Sequence, residues 1–157
     1  MDDMLDFINS LVEEEAMIAV DRKQTREQEV DWLARGLSNL EKDKEIRVVA
    51  EVDGRMVGQC EVAPRFGRMS HVGRLGISVK KGCREIGIGQ GLMREAERHA
   101  GRLGIEKIML EVFAINNRAI HVYEKMGYRV VGCVPGEVKY RGEYVDGRYM
   151  LKDIYSS

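Results

Sequence analysis

A strand that runs into a glycine-rich turn and leaves it as a helix constrains this chain more than any other stretch. Val72, Leu75, Ile77 and Val79 read as a strand, with Gly73 and Gly76 inside the run. Glycines within a strand mark a bulge or a close approach by a ligand or another backbone. A short basic loop, Lys80-Lys-Gly-Cys83, follows, then Arg84-x-x-Gly87-x-Gly89. From there Ile88, Leu92, Met93, Ala96, Ala100 and Leu103 recur at helical spacing. A bare turn opening a helix gathers unpartnered N–H groups at the positive end of the helix dipole. That is an anion site, best suited to a phosphate.

The flanks can be read around this centre. Leu5, Ile8, Leu11 and Val12 predict a helix from the first residues, closed by Glu13-Glu14-Glu15. Carboxylates at a helix C-terminus oppose the dipole, so the run is expected to spill into a loop, either as a solvated end or facing a cationic substrate. Thr25 and Gln28 form a capping box for a second helix with the apolar stripe Val30, Leu33, Leu37 and Leu40, expected to end near Asp43. Runs 46–52 and 55–62 are joined by Asp53-Gly54, the signature of a type I′ hairpin. A loop rich in Pro, Gly and Arg, 64–70, leads into the central strand. After the Gly104 stop, 106–112 reads as a strand. Asn116 or Asn117 then caps a short helix with Ala119, Val122 and Tyr123 inward and Gly127 as its stop. Residues 128–134 and 148–154 read as strands, with 138–145 mixed. This order predicts an α/β (α+β) chain with a mixed sheet, one domain over residues 1–157.

Composition excludes several classes of partner. Lys+Arg 25 against Asp+Glu 26 gives a net charge of -1, with no global pull toward nucleic acid or an anionic membrane. No apolar run approaches the roughly 18 residues of a bilayer span. Three widely spaced cysteines, Cys60, Cys83 and Cys133, argue against a disulfide framework or a zinc site. An intracellular, cytoplasmic protein without a metal is expected. Taken alone, Gly87-x-Gly89-x-Gly91 also fits a dinucleotide fingerprint, with Glu106 or Glu111 as the ribose acid. The glycine spacing and the antiparallel hairpin before it count against that, and no Gly-Lys-Ser/Thr is present for a Walker loop.

The Arg84, Gly87 and Gly89 pattern resembles the acetyl-CoA signature of the GNAT (Gcn5-related N-acetyltransferase) superfamily, Arg/Gln-x-x-Gly-x-Gly/Ala. A second run, Leu110-Glu-Val112 followed by Asn116-Asn-Arg-Ala-Ile-His-Val-Tyr-Glu-Lys-Met-Gly-Tyr128, is similar to one found in the same superfamily. The match spans about residues 46–153 in the family's element order, although members usually open with a strand and this chain opens with a helix. The resemblance implies a mixed, mostly antiparallel central sheet splayed into a V and flanked by helices. It implies acetyl-CoA as co-substrate and direct attack by a primary amine on the thioester. Ile77 and Val79 would pair with the pantetheine, and Cys83, Arg84, Glu85, Ile86, Gly87, Ile88 and Gly89 would hold the pyrophosphate, Arg84 adding charge. Asn116 would bond the pantetheine region or cap its helix. Tyr123 would protonate the CoA sulfur as general acid, and Glu111 would act through water as general base, its pKa raised by an apolar mid-strand setting. Glu61, His71 and Glu13–Glu15 are substitute bases, and a nucleophilic Cys83 is disfavoured because no His partners it. The acceptor would be a small-molecule amine or a protein N-terminal amine, favoured by an acidic rim of Glu13–Glu15, Glu143 and Asp146, and a homodimer is possible. A non-catalytic acyl-CoA sensor on the same fold is the alternative.

Overall fold

The computed structural model describes residues 2–42 and 44–154. The expected helix end at Asp43 lies outside them. Six strands form one sheet in the order β1-β2-β3-β4-β6-β5, where β1 is Ile46–Val52, β2 Arg55–Pro64, β3 Val72–Val79, β4 Lys107–Phe113, β5 Arg129–Tyr140 and β6 Glu143–Asp153. All neighbouring strands are antiparallel except β3 and β4, which run parallel. The helices are α1 Asp2–Glu13, α2 Arg26–Glu41, α3 Ile88–Ala100 and α4 Asn117–Lys125. Among the described residues, no helix is long and apolar enough to cross a membrane.

Strand alternation sends one set of side chains to each face. Ile46, Cys60, Val62, Leu75, Ile108, Leu110 and Met150 join Leu92, Met93, Ala96 and Ala100 of α3 in the main core, with Ile120 of α4 and Tyr128. Burial of each large apolar side chain contributes roughly 1.5–3 kcal/mol, which fixes α3 across the sheet. A smaller core seats α1 against β2 through Phe7, Leu11 and Met56. Asp53 and Gly54 both have positive φ, as a type I′ turn requires, and the Thr25–Gln28 capping box is formed in both directions.

Three local expectations are revised. The β2–β3 register is unbroken, so Gly73 marks no bulge; a Cβ there would stand 2.8 Å from Val62 and 3.0 Å from Ile105, and the glycine makes room for core packing. The 138–145 segment is a hairpin tip rather than a mixed stretch, because Arg141 and Gly142 take positive φ and let Val138 to Tyr140 pair back on to β6. A register break between Val134 and Val138 hides that periodicity. On α2, Val30 and Leu37 are exposed while Glu29 and Gly36 are buried. The stripe is displaced because α2 rests on a cation. The Arg47 guanidinium lies 3.9 Å from the centre of the Trp32 ring, and a Cβ on Gly36 would overlap it. Burial raises the Glu29 carboxyl above its ordinary range, with Arg47 opposing.

Candidate active site

Beside the parallel pair, the sheet opens. β3 and β4 pair from Val72 with Lys107 to Leu75 with Leu110, and the pairing stops there although both strands continue. On the other edge, β3 stays paired to β2 as far as Val79. The Lys80 N–H donates to the Val57 carbonyl on β2. Main-chain groups alternate sides along a strand, so Ile77 and Val79 turn theirs toward the gap. The gap is the expected V, and it bares the strand edge that an extended amide ligand would join.

At the end of that edge, the glycine-rich turn leads into α3. Its N-cap is Gly87, in the left-handed region at φ 88, and no side chain caps the helix. The first helical bond closes from Gly91 N–H to the Gly87 carbonyl, so the amides of Ile88, Gly89 and Gln90 precede the ladder and point out of the helix end. A Cβ on Gly87 would meet nothing within 4 Å, and one on Gly89 only Ile77 and Val79 at 3.7 Å. Side chains therefore leave the turn open. Ile86 is exposed, and Glu85, at φ 65, pairs with Arg118 at 3.1 Å across to the start of α4. Two members of the expected set are otherwise engaged. The Cys83 amide donates to the Lys80 carbonyl, and the Arg84 side chain donates from Nε to the Val79 carbonyl at 2.8 Å while its guanidinium grips Glu14. Arg84 thus pins the turn to the end of β3 and to α1, rather than extending a free charge.

Two cavities meet at the gap. One, of about 590 Å³, runs from Arg84, Gly87 and Gly89 along Ile77 and Val79 to Asn116 and Tyr123. The other, of about 720 Å³, spreads over Glu61, Gly76, Glu111 and Phe113 and shares Ile77, Asn116 and Tyr123. Asn116 caps α4 by accepting from the Ala119 N–H at 3.2 Å. Tyr123, two turns further along, sits at the junction of the cavities with its ring edge-on to Tyr128, 6.2 Å between centroids. Burial pushes its phenol up to about 12, helped by the Cys60 thiol, so it keeps its proton at neutral pH. Among the described residues, no group accepts a hydrogen bond from that hydroxyl.

The carboxylates proposed from sequence separate clearly. Glu111 reaches the second cavity, but it is exposed and bound by Arg74, not set in apolar surroundings. Glu61 reaches the same cavity from β2, paired in register with Gly76; burial raises its carboxyl above the ordinary range, with Arg47 opposing. His71 precedes β3 at the end away from the gap, where its carbonyl accepts from the Glu106 and Lys107 amides. Four of the five carboxylates of the acidic rim are engaged within the chain, Glu143 being the exception among the described residues. Glu13 pairs with Lys23 at 2.5 Å, Glu14 with Arg84, and Glu15 with Arg141 at 3.0 Å, while Asp146 accepts from the Gly136 N–H at 2.9 Å. Tyr140 and Arg141 were not legible from sequence. The Tyr140 hydroxyl donates to the Glu15 carbonyl at 2.6 Å, and with Arg141 it ties the α1–α2 connection over both cavities. Among the described residues, no cluster of His, Cys, Asp or Glu is arranged to hold a metal ion.

Comparison with known proteins agrees with this geometry. Residues 6–128 match the model of the acetyltransferase (GNAT) family. The L-amino acid N-acetyltransferase AaaT of Escherichia coli is 36% identical over 108 residues, covering 68% of this chain and 67% of that protein. An acetyltransferase of the GNAT family from Streptococcus pneumoniae superposes with a TM-score of 0.85 at 25% identity, covering 98% of this chain and 92% of that one. The fold also matches the ribosomal-protein-alanine N-acetyltransferase of Brucella melitensis, with a TM-score of 0.84 at 24% identity over 97% and 93% of the two chains. A strand pair that parts beside an uncapped helix start is thus found in a chain that belongs to the acetyltransferase (GNAT) family and is an N-acetyltransferase.

Proposed function

We infer that this protein transfers the acetyl group of acetyl-CoA to a primary amine, the whole chain working as one catalytic domain in the cytoplasm. The observation that carries this reading is the end of β3–β4 pairing at Leu75 and Leu110, immediately beside a helix start with no side-chain cap. The pantetheine arm enters the gap and adds to the edge of β3 through the main-chain groups of Ile77 and the N–H of Val79, the Val79 carbonyl being held by Arg84. The diphosphate rests on the turn from Cys83 to Gly89, chiefly on the amides around Gly87, Ile88 and Gly89, where negative charge meets the helix dipole. Glu85, Ile86 and Arg84 shape this turn, and Asn116 lines the arm's path from the α4 cap.

The amine must arrive neutral, attack the thioester carbonyl and expel the thiolate. A backbone N–H of β3, at Ile77 or a neighbour, steadies the developing oxyanion in this reading. Tyr123, which lines both cavities and retains its proton, donates it to the departing sulfur. By resemblance the base would be Glu111, acting through water, although the Arg74 guanidinium occupies its carboxylate. The acceptor is a small amine or a protein's N-terminal amine; the L-amino acid activity named for the Escherichia coli relative supports the former.

The test is thiol release from acetyl-CoA during incubation with amino acids, polyamines, amine-bearing antibiotics and peptides. Release with at least one class is expected. Binding of acetyl-CoA without release in any mixture would instead favour a non-catalytic acyl-CoA sensor.

A further inference from the structure

Two carboxylates flank β3 at the mouth of the gap, and their surroundings differ. Glu111, on β4, is bound by the Arg74 guanidinium in a charge-assisted contact. Glu61, on β2, lies opposite Gly76, the residue immediately before Ile77. A Cβ on Gly76 would stand 3.3 Å from Glu61 Oε1, so any larger residue would press on the carboxylate. The glycine leaves it lying across β3, facing the cavity that also holds Tyr123.

The cation nearest Glu61 is held elsewhere. Arg47 approaches to 3.9 Å, but its Nε is bonded to Glu45 at 2.5 Å and its guanidinium is stacked on Trp32. Other charges also face this site. Glu45 stands with Arg47 on the β1 side, Arg74 lies two residues from Gly76 on the same face of β3, and Glu111 lies on β4. Glu15, paired with Arg141, and Asp21, Glu137 and Lys139 also line the cavity. The Glu61 side chain stays 44% exposed, and the part that is buried is the largest influence raising its carboxyl, favouring the protonated form.

We propose that Glu61, rather than Glu111, receives the proton of the acceptor's ammonium, directly or through one water. The role rests on the acetyl-transfer reading. One ammonium proton passes to Glu61, and the freed nitrogen lone pair bonds to the thioester carbonyl carbon. When the tetrahedral intermediate collapses, the C–S bond breaks and the thiolate takes the Tyr123 proton. The tyrosinate recovers a proton from the new amide nitrogen, and Glu61 releases its proton to solvent. The sum is one N-acetyl amine, one CoA thiol and one proton. Glu111 and Arg74 stay paired on the opposite flank.

The experiment measures kcat/KM against pH, between about pH 6 and about pH 10, for the full chain, Glu61→Gln, Glu61→Asp and Glu111→Gln. The substrate is an amine that the wild type acetylates, with melting temperature and acetyl-CoA affinity recorded in parallel. Glu61→Gln should lose about 10²- to 10⁴-fold near neutral pH. That deficit should shrink about tenfold per pH unit as the amine deprotonates unaided. Acetyl-CoA affinity should hold. Glu61→Asp, which keeps the carboxylate one methylene short, should fall between wild type and Glu61→Gln, so a Gln variant that fails to fold does not remove the test. Glu111→Gln should lose less than about tenfold, without the pH-dependent recovery. The proposal is overturned if Glu61→Gln matches wild type, if the deficit of either Glu61 variant is independent of pH, or if Glu111→Gln shows the recovery. Absence of turnover by the wild type with every amine would overturn the transfer reading itself, whereas turnover unaffected by changing Glu61 removes this role alone.

Discussion

Replacing Tyr123 with Phe removes one oxygen from the junction of the two cavities and leaves the ring in place. The phenol is held at about 12, so only about 10⁻⁵ of it is ionised near neutral pH and it arrives at each turnover as an acid. Loss of a positioned proton donor costs about 10²-fold in kcat, which corresponds to about 2.7 kcal/mol of transition-state stabilisation. Folding should hardly notice. The edge contact with Tyr128 is made by the ring, and no described residue accepts from the hydroxyl, so stability should stay within about 1 kcal/mol of wild type. Thiol release at saturating acetyl-CoA and amine gives kcat, and titration of acetyl-CoA without amine gives affinity. A lower kcat with affinity retained is the expected pair of results. A kcat within about twofold of wild type would remove Tyr123 from the chemistry, and an equal loss in affinity would make it a packing residue.

Other substitutions test the surrounding structure. Arg84→Met should loosen the glycine-rich turn through the lost Val79 and Glu14 contacts, lowering acetyl-CoA affinity by less than about tenfold; a loss beyond about 10²-fold in calorimetry would show Arg84 acting on the ligand directly. Gly73→Ala should destabilise by about 1–3 kcal/mol in urea unfolding, because the new Cβ would stand 2.8 Å from Val62; a neutral result would mean the core gives way easily. Glu29→Gln tests pH linkage. Its carboxyl is raised in the fold, so the native state holds the proton more tightly than the unfolded state, and its contribution falls as pH rises through the ordinary carboxylate range. The Gln variant should therefore melt higher than wild type near pH 7, with the gain fading as pH falls below about 4; a gain that is constant with pH would contradict the burial argument.

Features encoded within a few residues of one another were legible in the sequence. The Asp53-Gly54 turn, the Thr25–Gln28 box, the Asn116 cap and the glycine-rich entry to α3 all formed as their local chemistry required. Features set by distant partners were not. The face that α2 buries depends on Arg47 from β1, and the role of Gly73 depends on Val62 and Ile105. The tie from Tyr140 and Arg141 to Glu15 joins residues 125 and 126 positions apart. The state of Glu111 likewise turns on Arg74, a neighbour that appears only once β3 and β4 lie side by side. The identity of an acidic side chain near the site was readable, but the guanidinium that occupies it was a property of the sheet.

The central claim is that the gap beside Ile77 and the bare start of α3 together receive acetyl-CoA, and melting of the purified chain with and without that ligand tests it most directly. At about 100 times the dissociation constant the ligand adds about 2.7 kcal/mol, or about 5–10 °C for a chain of this length. Wild type should show that rise, and Gly89→Trp, which puts an indole between the helix start and Ile77 and Val79, should show none. A wild type that melts at the same temperature with and without acetyl-CoA, or a Gly89→Trp variant stabilised as much as wild type, would contradict the account.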